Sequence, residues 1–452
     1  MADRRFVPPS FGTDGLRGTA GQPPIDTQTL QRLGAALGLW LQHQGPEQKR
    51  VLIGNDGRDS AGWIGPVLAA GLAATDVQVL DVGLIPTPGL AFLVREQPVQ
   101  AGIMISASHN QALDNGVKIF QSDGTKLPDA AETRISDMTR EVSFEPNSSV
   151  RVKHSPELTR QYEEHLVNLF ADVDLSGRKI VVDGANGACS RVTPTILRGL
   201  GAEVFELACL PDGTNINAGA GALHPESMAQ TVAAQGADFG LSLDGDGDRC
   251  IVCDETGTVR DGDGILTVMG THLHRQCALP GDTLVATVMS NLGLGKALMR
   301  HGISLHQTPV GDRAVVAAMR DHGYALGGEQ SGHIIFTGSG HLTGDGTYTA
   351  LQLLSVLDSQ TVGLATAFSE FVSFPQLLVN VPVRHKPDLA DVDTIQGAVA
   401  QIETELGDEG RVVLRYSGTE DLCRVMVEAP TEEDVRKHVE RLVQVVRTEL
   451  GA

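Results

Sequence analysis

A chain of 452 residues is too long for one ordinary hydrophobic core, since single cores stop growing near roughly 250–300 residues, so several domains are expected. With 56 acidic against 35 basic residues the formal net charge is −21, which argues against nucleic acid or an anionic membrane as partner, because both are bound by Lys and Arg. At 41% hydrophobic and 20% charged residues, with no apolar run of membrane-spanning length and no apolar signal core behind Met1–Phe6, a soluble and cytoplasmic protein is expected. Any phosphorylated ligand must then be held by a local cationic pocket.

Along the chain, residues 26–43 place Leu30, Leu33, Leu37 and Leu41 at helical spacing, and residues 51–54 follow as a short buried strand. Strand-like runs at 77–82, 102–105, 179–182, 203–207, 239–243 and 284–288 alternate with Ala- and Leu-rich helical stretches, which predicts parallel sheets in α/β layers. Breaks fall at the polar stretch around Glu145–Ser148 and at Glu255-Thr256-Gly257, giving α/β units over 1–150, 151–258 and 259–372. The remainder, 373–452, reads as a smaller α+β domain. Strands at 377–383, 411–416 and 424–428 precede a helix that Thr431 and Asp434 open as a capping box, with Val435, Val439, Leu442, Val443 and Val446 on one face. The six cysteines are too sparse for a disulfide framework, and Cys250-Ile-Val-Cys253, inside a strand-like run, reads as packing rather than half a zinc site.

Two loops carry candidate chemistry. Asp244-Gly-Asp246-Gly-Asp248-Arg249 leaves the run 239–243 with three carboxylates at alternate positions, and oxygen-only ligands favour Mg²⁺. A calcium loop is the rival, opposed by Arg249 where that loop demands Gly, and a solvated acidic turn is the bland alternative. Arg249 is either a counter-charge or a phosphate ligand. The run 102–105 ends in Ser106-Ala-Ser108-His109-Asn110, at a strand end where α/β sheets bind ligands. Neighbouring residues on an extended chain point apart, so Ser108 and His109 are not expected to form a hydrolase dyad, and alone Ser108 reads as an ordinary loop serine.

Five segments taken together, Phe11–Gly18, Ser106–Asn110, Asp244–Arg249, Gly327–His333 and Arg415–Glu420, resemble the α-D-phosphohexomutases in the family's order. The resemblance implies three related α/β domains plus a smaller C-terminal phosphate-binding domain around a central cleft. It implies that Ser108 is a phosphoserine completing a Mg²⁺ site with Asp244, Asp246 and Asp248. Lys118, His109, Arg249 and Arg17 would serve the transfer, Glu329, Ser331 and His333 would contact the sugar, and Arg415, Ser417, Gly418, Thr419 and Arg424 would hold the non-reacting phosphate. Lys118 could instead be a surface lysine and His333 a loop histidine bonded to backbone. Gly247, Gln330, Met289–Leu294 and Val310-Gly-Asp-Arg313 are spelled as in members acting on glucosamine phosphates, which implies glucosamine 6-phosphate as substrate. Glucosamine or glucose 1,6-bisphosphate would be the priming intermediate, and a monomer or homodimer is expected. Glucose and mannose phosphates are the nearest alternative, and a phosphosugar-binding protein without catalysis the distant one. Gln111 and Asp421 stand where the family commonly has proline, so both loops are expected to be looser, and Asp421 adds an anion beside an anion site. Residues 291–296 resemble a nucleotide-binding loop superficially, but Ser290 and Ala297 replace its first Gly and its Ser/Thr.

Overall fold

The structure, a computed structural model, describes residues 6–12, 14–45, 49–142, 152–338, 343–360, 363–417 and 420–451. The stretch 145–148, read as a domain break, and the phosphate-loop residues Gly418 and Thr419 lie outside the described residues. Among the described residues the strands form four sheets. The first has the order Leu16–Thr19, Asp114–Gln121, Ala101–Ile105, Arg50–Asn55, Gln78–Leu84, Val152–His154. Its middle is parallel and its first two strands are antiparallel to their neighbours. The second runs Val259–Arg260, Cys250–Cys253, Phe239–Leu243, Lys179–Asp183, Glu203–Leu207, and the third Ser304–Thr308, Thr283–Thr287, Leu326–Gly328, Ile334–Phe336. The fourth, Gln376–Pro382, Leu422–Glu428, Arg411–Tyr416, is wholly antiparallel.

The α/β sheets are therefore mixed rather than parallel. Central strands such as Ala101–Ile105 and Phe239–Leu243 are buried along their length, which is why they read as apolar runs. Each then turns back into an antiparallel neighbour, which periodicity cannot foresee. The consequence for function is direct. Residues 106–113 join Ala101–Ile105 to Asp114–Gln121, residues 244–249 join Phe239–Leu243 to Cys250–Cys253, and residues 329–333 join Leu326–Gly328 to Ile334–Phe336. The serine, acidic and sugar loops are all hairpin connections, and the fourth motif likewise links Arg411–Tyr416 to Leu422–Glu428.

Helices cover these sheets as the periodicity requires. Thr27–Gln42 is capped by Asp26, whose carboxylate accepts the N–H groups of Gln28 and Thr29, and it buries Leu30, Leu33, Leu37 and Leu41. Glu432–Leu450 starts at Thr431, whose hydroxyl accepts the Asp434 N–H at 3.1 Å. One core runs through the second and third units, from Val182 and Leu243 to Leu284 and Leu351, whereas the first and fourth have cores of their own. Cys250 and Cys253 are fully buried in the second sheet and burial pushes both thiols up, in keeping with packing. No helix among the described residues is long and apolar enough to cross a membrane.

Candidate active site

Ser108 is fully buried and left-handed, with φ 52°, a conformation that costs a non-glycine residue about 1–3 kcal/mol and persists only where its surroundings impose it. The imposing group is Arg58. Its Nε donates to Asp56 at 2.9 Å, one terminal nitrogen to the carbonyls of Asp114 (3.0 Å) and Gln111, and the other to those of Ser108 (3.0 Å) and Asn110 (2.7 Å). Asp56 also accepts the Ser106 hydroxyl, which in turn accepts the Ser108 N–H at 2.8 Å. From the second unit, Asn217 Nδ2 donates to the same Ser108 and Asn110 carbonyls at 2.9 Å each. The Gln111 carbonyl is thus fixed by a guanidinium where proline was expected to stiffen the loop.

The left-handed turn also alters the relation of Ser108 to His109. Contrary to the extended-chain expectation, His109 Nδ1 lies 3.3 Å from Ser108 Oγ. Burial, reinforced by Arg249 and Arg17, lowers the imidazole to about 4, so it is neutral near pH 7.

The Ser108 hydroxyl donates to Asp244 at 2.6 Å, and Asp244, Asp246 and Asp248 each offer an oxygen within 4.8 Å of the others. Gly247 has φ 74°, and a Cβ there would collide with Cys189 Sγ, so any larger residue at this position would strain the loop. Asp246 accepts from the Thr87 hydroxyl at 2.6 Å and from Lys118 Nζ at 2.8 Å, while Lys118 also reaches Asp248 at 3.3 Å and Asp14 at 3.0 Å. Lys118 is 1% exposed, which removes the surface-lysine alternative. Burial works against its charge, but Asp14, Asp246 and Asp248 together push it well above the ordinary lysine range. Burial would likewise raise Asp248, yet Lys118, then His333 and Arg249, hold it down to about 2. Asp244 is driven well above the usual carboxylate range by burial and by its two neighbours.

These carboxylates fit a metal ion. Asp246 Oδ1 and Asp248 Oδ1 are buried without a hydrogen-bond partner among the described residues, and such acceptors are costly unless a cation meets them. The donor set is oxygen only, which suits Mg²⁺.

The sugar loop is stitched to the acidic loop. The Cys250 N–H donates to the Gly332 carbonyl at 3.0 Å, and the Gly346 N–H to that of Gly247 at 2.9 Å. Glu329 accepts the Gly311 N–H at 3.2 Å, and the Ser331 hydroxyl is buried without a partner among the described residues. His333 Nε2 accepts the Gly344 N–H at 2.9 Å, so it is in fact bonded to backbone. Arg249 donates its N–H to Asp244 at 3.1 Å, while its Nε is 3.8 Å from Asp248 and lacks a hydrogen-bond partner among the described residues. Arg17 pairs with Asp14.

The remaining candidates form a separate cluster on the fourth sheet. Arg415 and Arg424 are cross-strand partners, and each has a buried Nε without a partner among the described residues. Burial, then Arg424, pulls Arg415 below the ordinary arginine range, as expected of like charges awaiting an anion. Ser417 is 3% exposed and accepts the Glu420 N–H at 3.3 Å. Asp421, expected to oppose an anion, is 3.3 Å from Lys386 Nζ, which also donates to the Ser417 and Glu420 carbonyls at 3.3 and 2.7 Å. No hydrogen bond or ion pair joins this cluster to Ser108 among the described residues. A cavity of about 1380 Å³ does not include Ser108 but lies between the first and third units beside Phe11, Lys126, Asp312 and Arg313.

Arg58, Asp14, Thr87, Asn217, Lys126 and Lys386 were not singled out by sequence. The one available signal was Asn55-Asp56-Gly57-Arg58, a charged Gly turn closing a buried strand, as the serine and acidic loops also do.

Four domain families match successive stretches of the chain. Phosphoglucomutase/phosphomannomutase α/β/α domains I, II and III match residues 8–146, 160–257 and 261–374, and that family's C-terminal domain matches 378–445. A phosphoglucosamine mutase of Desulfovibrio desulfuricans is 46% identical, covering 100% of both chains. A crystal structure of a phosphoglucomutase/phosphomannomutase family protein from Burkholderia thailandensis superposes with a TM-score of 0.79 at 23% identity, covering 98% of this chain and 100% of that one. The Aspergillus fumigatus N-acetylphosphoglucosamine mutase in complex with GlcNAc-6P and magnesium superposes with 0.67 at 19% identity, over 99% and 97% of the two chains, and shares the fold. With all four of its domains matched in order, the chain belongs to the phosphoglucomutase/phosphomannomutase family, the α-D-phosphohexomutases.

Proposed function

We propose that the chain interconverts glucosamine 6-phosphate and glucosamine 1-phosphate, using Ser108 as the phosphoryl carrier. The activity is the one in the name of its Desulfovibrio relative. The observation that carries it is the Ser108 hydroxyl, buried at 2.6 Å from Asp244 within a carboxylate cluster that has unmet acceptors.

In the forward direction the bond from phosphorus to Ser108 Oγ breaks as a sugar hydroxyl oxygen bonds to phosphorus, and the proton that the sugar hydroxyl gives up is balanced by the one that restores the Ser108 hydroxyl. The product is glucosamine 1,6-bisphosphate, which turns over so that its 6-phosphoryl group returns to Ser108 Oγ. Catalysis of such transfers is mainly positioning and charge stabilisation. Asp244, Asp246, Asp248 and the phosphate on Ser108 would hold Mg²⁺, which supplies neutralisation of the transferring group's charge. Lys118 and Arg249 add fixed positive charge, Arg17 lies behind them on Asp14, and His109 offers a neutral ring nitrogen beside Ser108 Oγ. Glu329, Ser331 and His333 would meet the sugar, and Arg415, Ser417, Gly418, Thr419 and Arg424 the resting phosphate. Unit limits of 1–150, 151–258, 259–372 and 373–452, a cytoplasmic location, and a monomer or homodimer go with this reading.

The test is turnover of the glucosamine, glucose and mannose 6-phosphates, with intact mass to locate phosphate on Ser108. A preference for glucosamine 6-phosphate of about tenfold or more in kcat/KM is expected, one good polar contact being worth that much. Ser108→Ala should abolish turnover, and chelation followed by Mg²⁺ should abolish and then restore it. Equal rates on all three sugars would defeat the glucosamine assignment, and full activity of Ser108→Ala the mechanism.

A further inference from the structure

The segment Val310-Gly-Asp-Arg313, distinctive in spelling, takes no part in the chemistry above. Its Asp312 opens the helix Asp312–His322 in the third unit. The Asp312 carboxylate lies 2.5 Å from Lys126 Nζ, and Lys126 also pairs with Asp14 in the first unit. Asp14 takes Lys118 at 3.0 Å, and Lys118 reaches Asp246 at 2.8 Å in the second. Charge thus alternates along Asp312, Lys126, Asp14, Lys118 and Asp246, across three units. The Lys126 and Asp312 side chains are 10% and 12% exposed, so water and salt screen their contact little. One residue earlier, Gly311, with φ 126°, donates its N–H to Glu329. The same turn therefore touches both the sugar loop and a run of charge that ends in the acidic loop.

From this geometry we propose that Lys126 is a positioning residue for the transfer. By holding Asp312 against Asp14 it sets the sugar loop in register with Ser108 and the acidic loop, and so sets the approach of the sugar hydroxyl to phosphorus. General docking of the same helix is provided separately, by Arg313 to Asp129 and Glu132 and by Arg320 to Asp123 at 3.6 Å. That separation supplies a control. The catalytic part of the proposal rests on the mutase reading.

The experiment compares Lys126→Met, Asp312→Asn, the double variant, Lys126→Arg and Arg313→Met with wild type, by steady-state kinetics on the preferred hexose phosphate. Each single change in the ladder should lower kcat on the order of 10- to 100-fold, the effect of misplacing reactants by about 1 Å, with little change in KM. The double variant should lose no more than a single one, because both break the same link. Lys126→Arg should recover most of kcat and Arg313→Met should retain it. Thermal melting accompanies the series, and the double variant, which removes both charges, guards against a loss caused by an unpaired buried charge. Wild-type kcat in Lys126→Met, multiplying losses in the double variant, or an equal loss in Arg313→Met would overturn the proposal. Hydrogen exchange gives a readout free of activity: residues 14–17 and 310–313 should both exchange faster in Lys126→Met and Asp312→Asn. A wild type inactive on every hexose phosphate would sink the mutase reading while exchange still decides the register role, and unchanged exchange in both segments would sink that role.

Discussion

At Arg58 every guanidinium N–H direction is used, one on Asp56, three on carbonyls of the serine loop and one on that of Asp114, where the next strand starts. A lysine ammonium keeps the charge but cannot span five acceptors in a plane. Arg58→Lys is therefore expected to lower kcat on the order of 10- to 100-fold with a smaller change in KM, because Ser108 loses its imposed turn while the sugar loop is untouched. Arg58→Met leaves Asp56 buried without its cation and should cost about 3–5 kcal/mol in urea denaturation. Wild-type kcat in Arg58→Lys would assign the turn to Asn217 instead. A second residue makes a statement about pH. Burial pushes Asp345 up to about 6, against the N–H donors of Tyr348 and Thr347 and the Tyr162 hydroxyl. An unfolded aspartate titrates near 3.9, so between about pH 4 and 6 the folded chain keeps a proton that the unfolded chain has lost. The Asp345 contribution to stability accordingly falls as pH rises through that window, by on the order of 2–3 kcal/mol, and stays lost above it. Asp345→Asn keeps an oxygen to accept the Tyr348 N–H, presents an amide N–H to the Tyr162 hydroxyl oxygen in place of the second acceptor, and removes the titration. Urea midpoints at pH 4.5 and 7 should show the variant gaining on wild type as pH rises; a constant gap would refute the assignment.

Among the elements, the recurring device is a hairpin whose loop carries candidate site residues, and the fourth copy shows how a departure from the family is accommodated. Proline at 421 would fix its loop by covalent restraint; here Lys386 spans the loop from outside, bonding the carbonyls of Ser417 and Glu420 and pairing with Asp421. Lys386→Met is expected to raise KM for the phosphosugar about tenfold, in line with the loss of charge-assisted hydrogen bonds, with kcat less affected. Asp421→Pro in that background should recover most of the loss, since it restores stiffness and removes the uncompensated anion. Failure of this rescue, measured by KM in the four variants of the cycle, would show that Lys386 acts as a phosphate ligand rather than a brace. The same hairpins explain what could be read from sequence. Buried strands such as Phe239–Leu243 and Lys179–Asp183 and the capped final helix announce themselves by composition and period. The edge strand Leu16–Thr19 and the strand Asp114–Gln121 do not, because one is four residues long and the other mixes Lys118 and polar residues into its buried face. Site chemistry was legible where a loop packs several functional groups into consecutive residues. Asn217, Lys126 and Lys386 each arrive singly from distant turns, and no spacing marks them.

For the molecule as a whole, the distribution of contacts separates one body held by few contacts from three that are tied together. The second and third units share a core, and the first is tied to both by Asn217, Thr87, Lys118 and Lys126. The fourth has its own core, and the hydrogen bonds and ion pairs that reach it among the described residues come from residues 290–296. There Arg411 bonds the Ser290 carbonyl and Glu428, Glu428 accepts the Leu292 N–H at 3.0 Å, and Asn291 clasps both backbone groups of Phe374 in the connecting strap. These contacts lie at the opposite end of the Arg411–Tyr416 strand from Arg415 and Ser417, the geometry of a pivot with its load on the far side. An anion between Arg415 and Arg424 would remove their mutual repulsion and give the body a reason to swing toward a bisphosphate bound at Ser108. Small-angle scattering should therefore show a smaller radius of gyration with glucose 1,6-bisphosphate than without it. In Arg411→Met/Glu428→Gln, which unlinks the pivot without stranding a buried charge, the free form should be more expanded and KM higher, since part of the binding energy must first order the domain. Superimposable wild-type curves with and without bisphosphate would mean that the fourth unit is already in place, and that the turnover of the intermediate proceeds without closure.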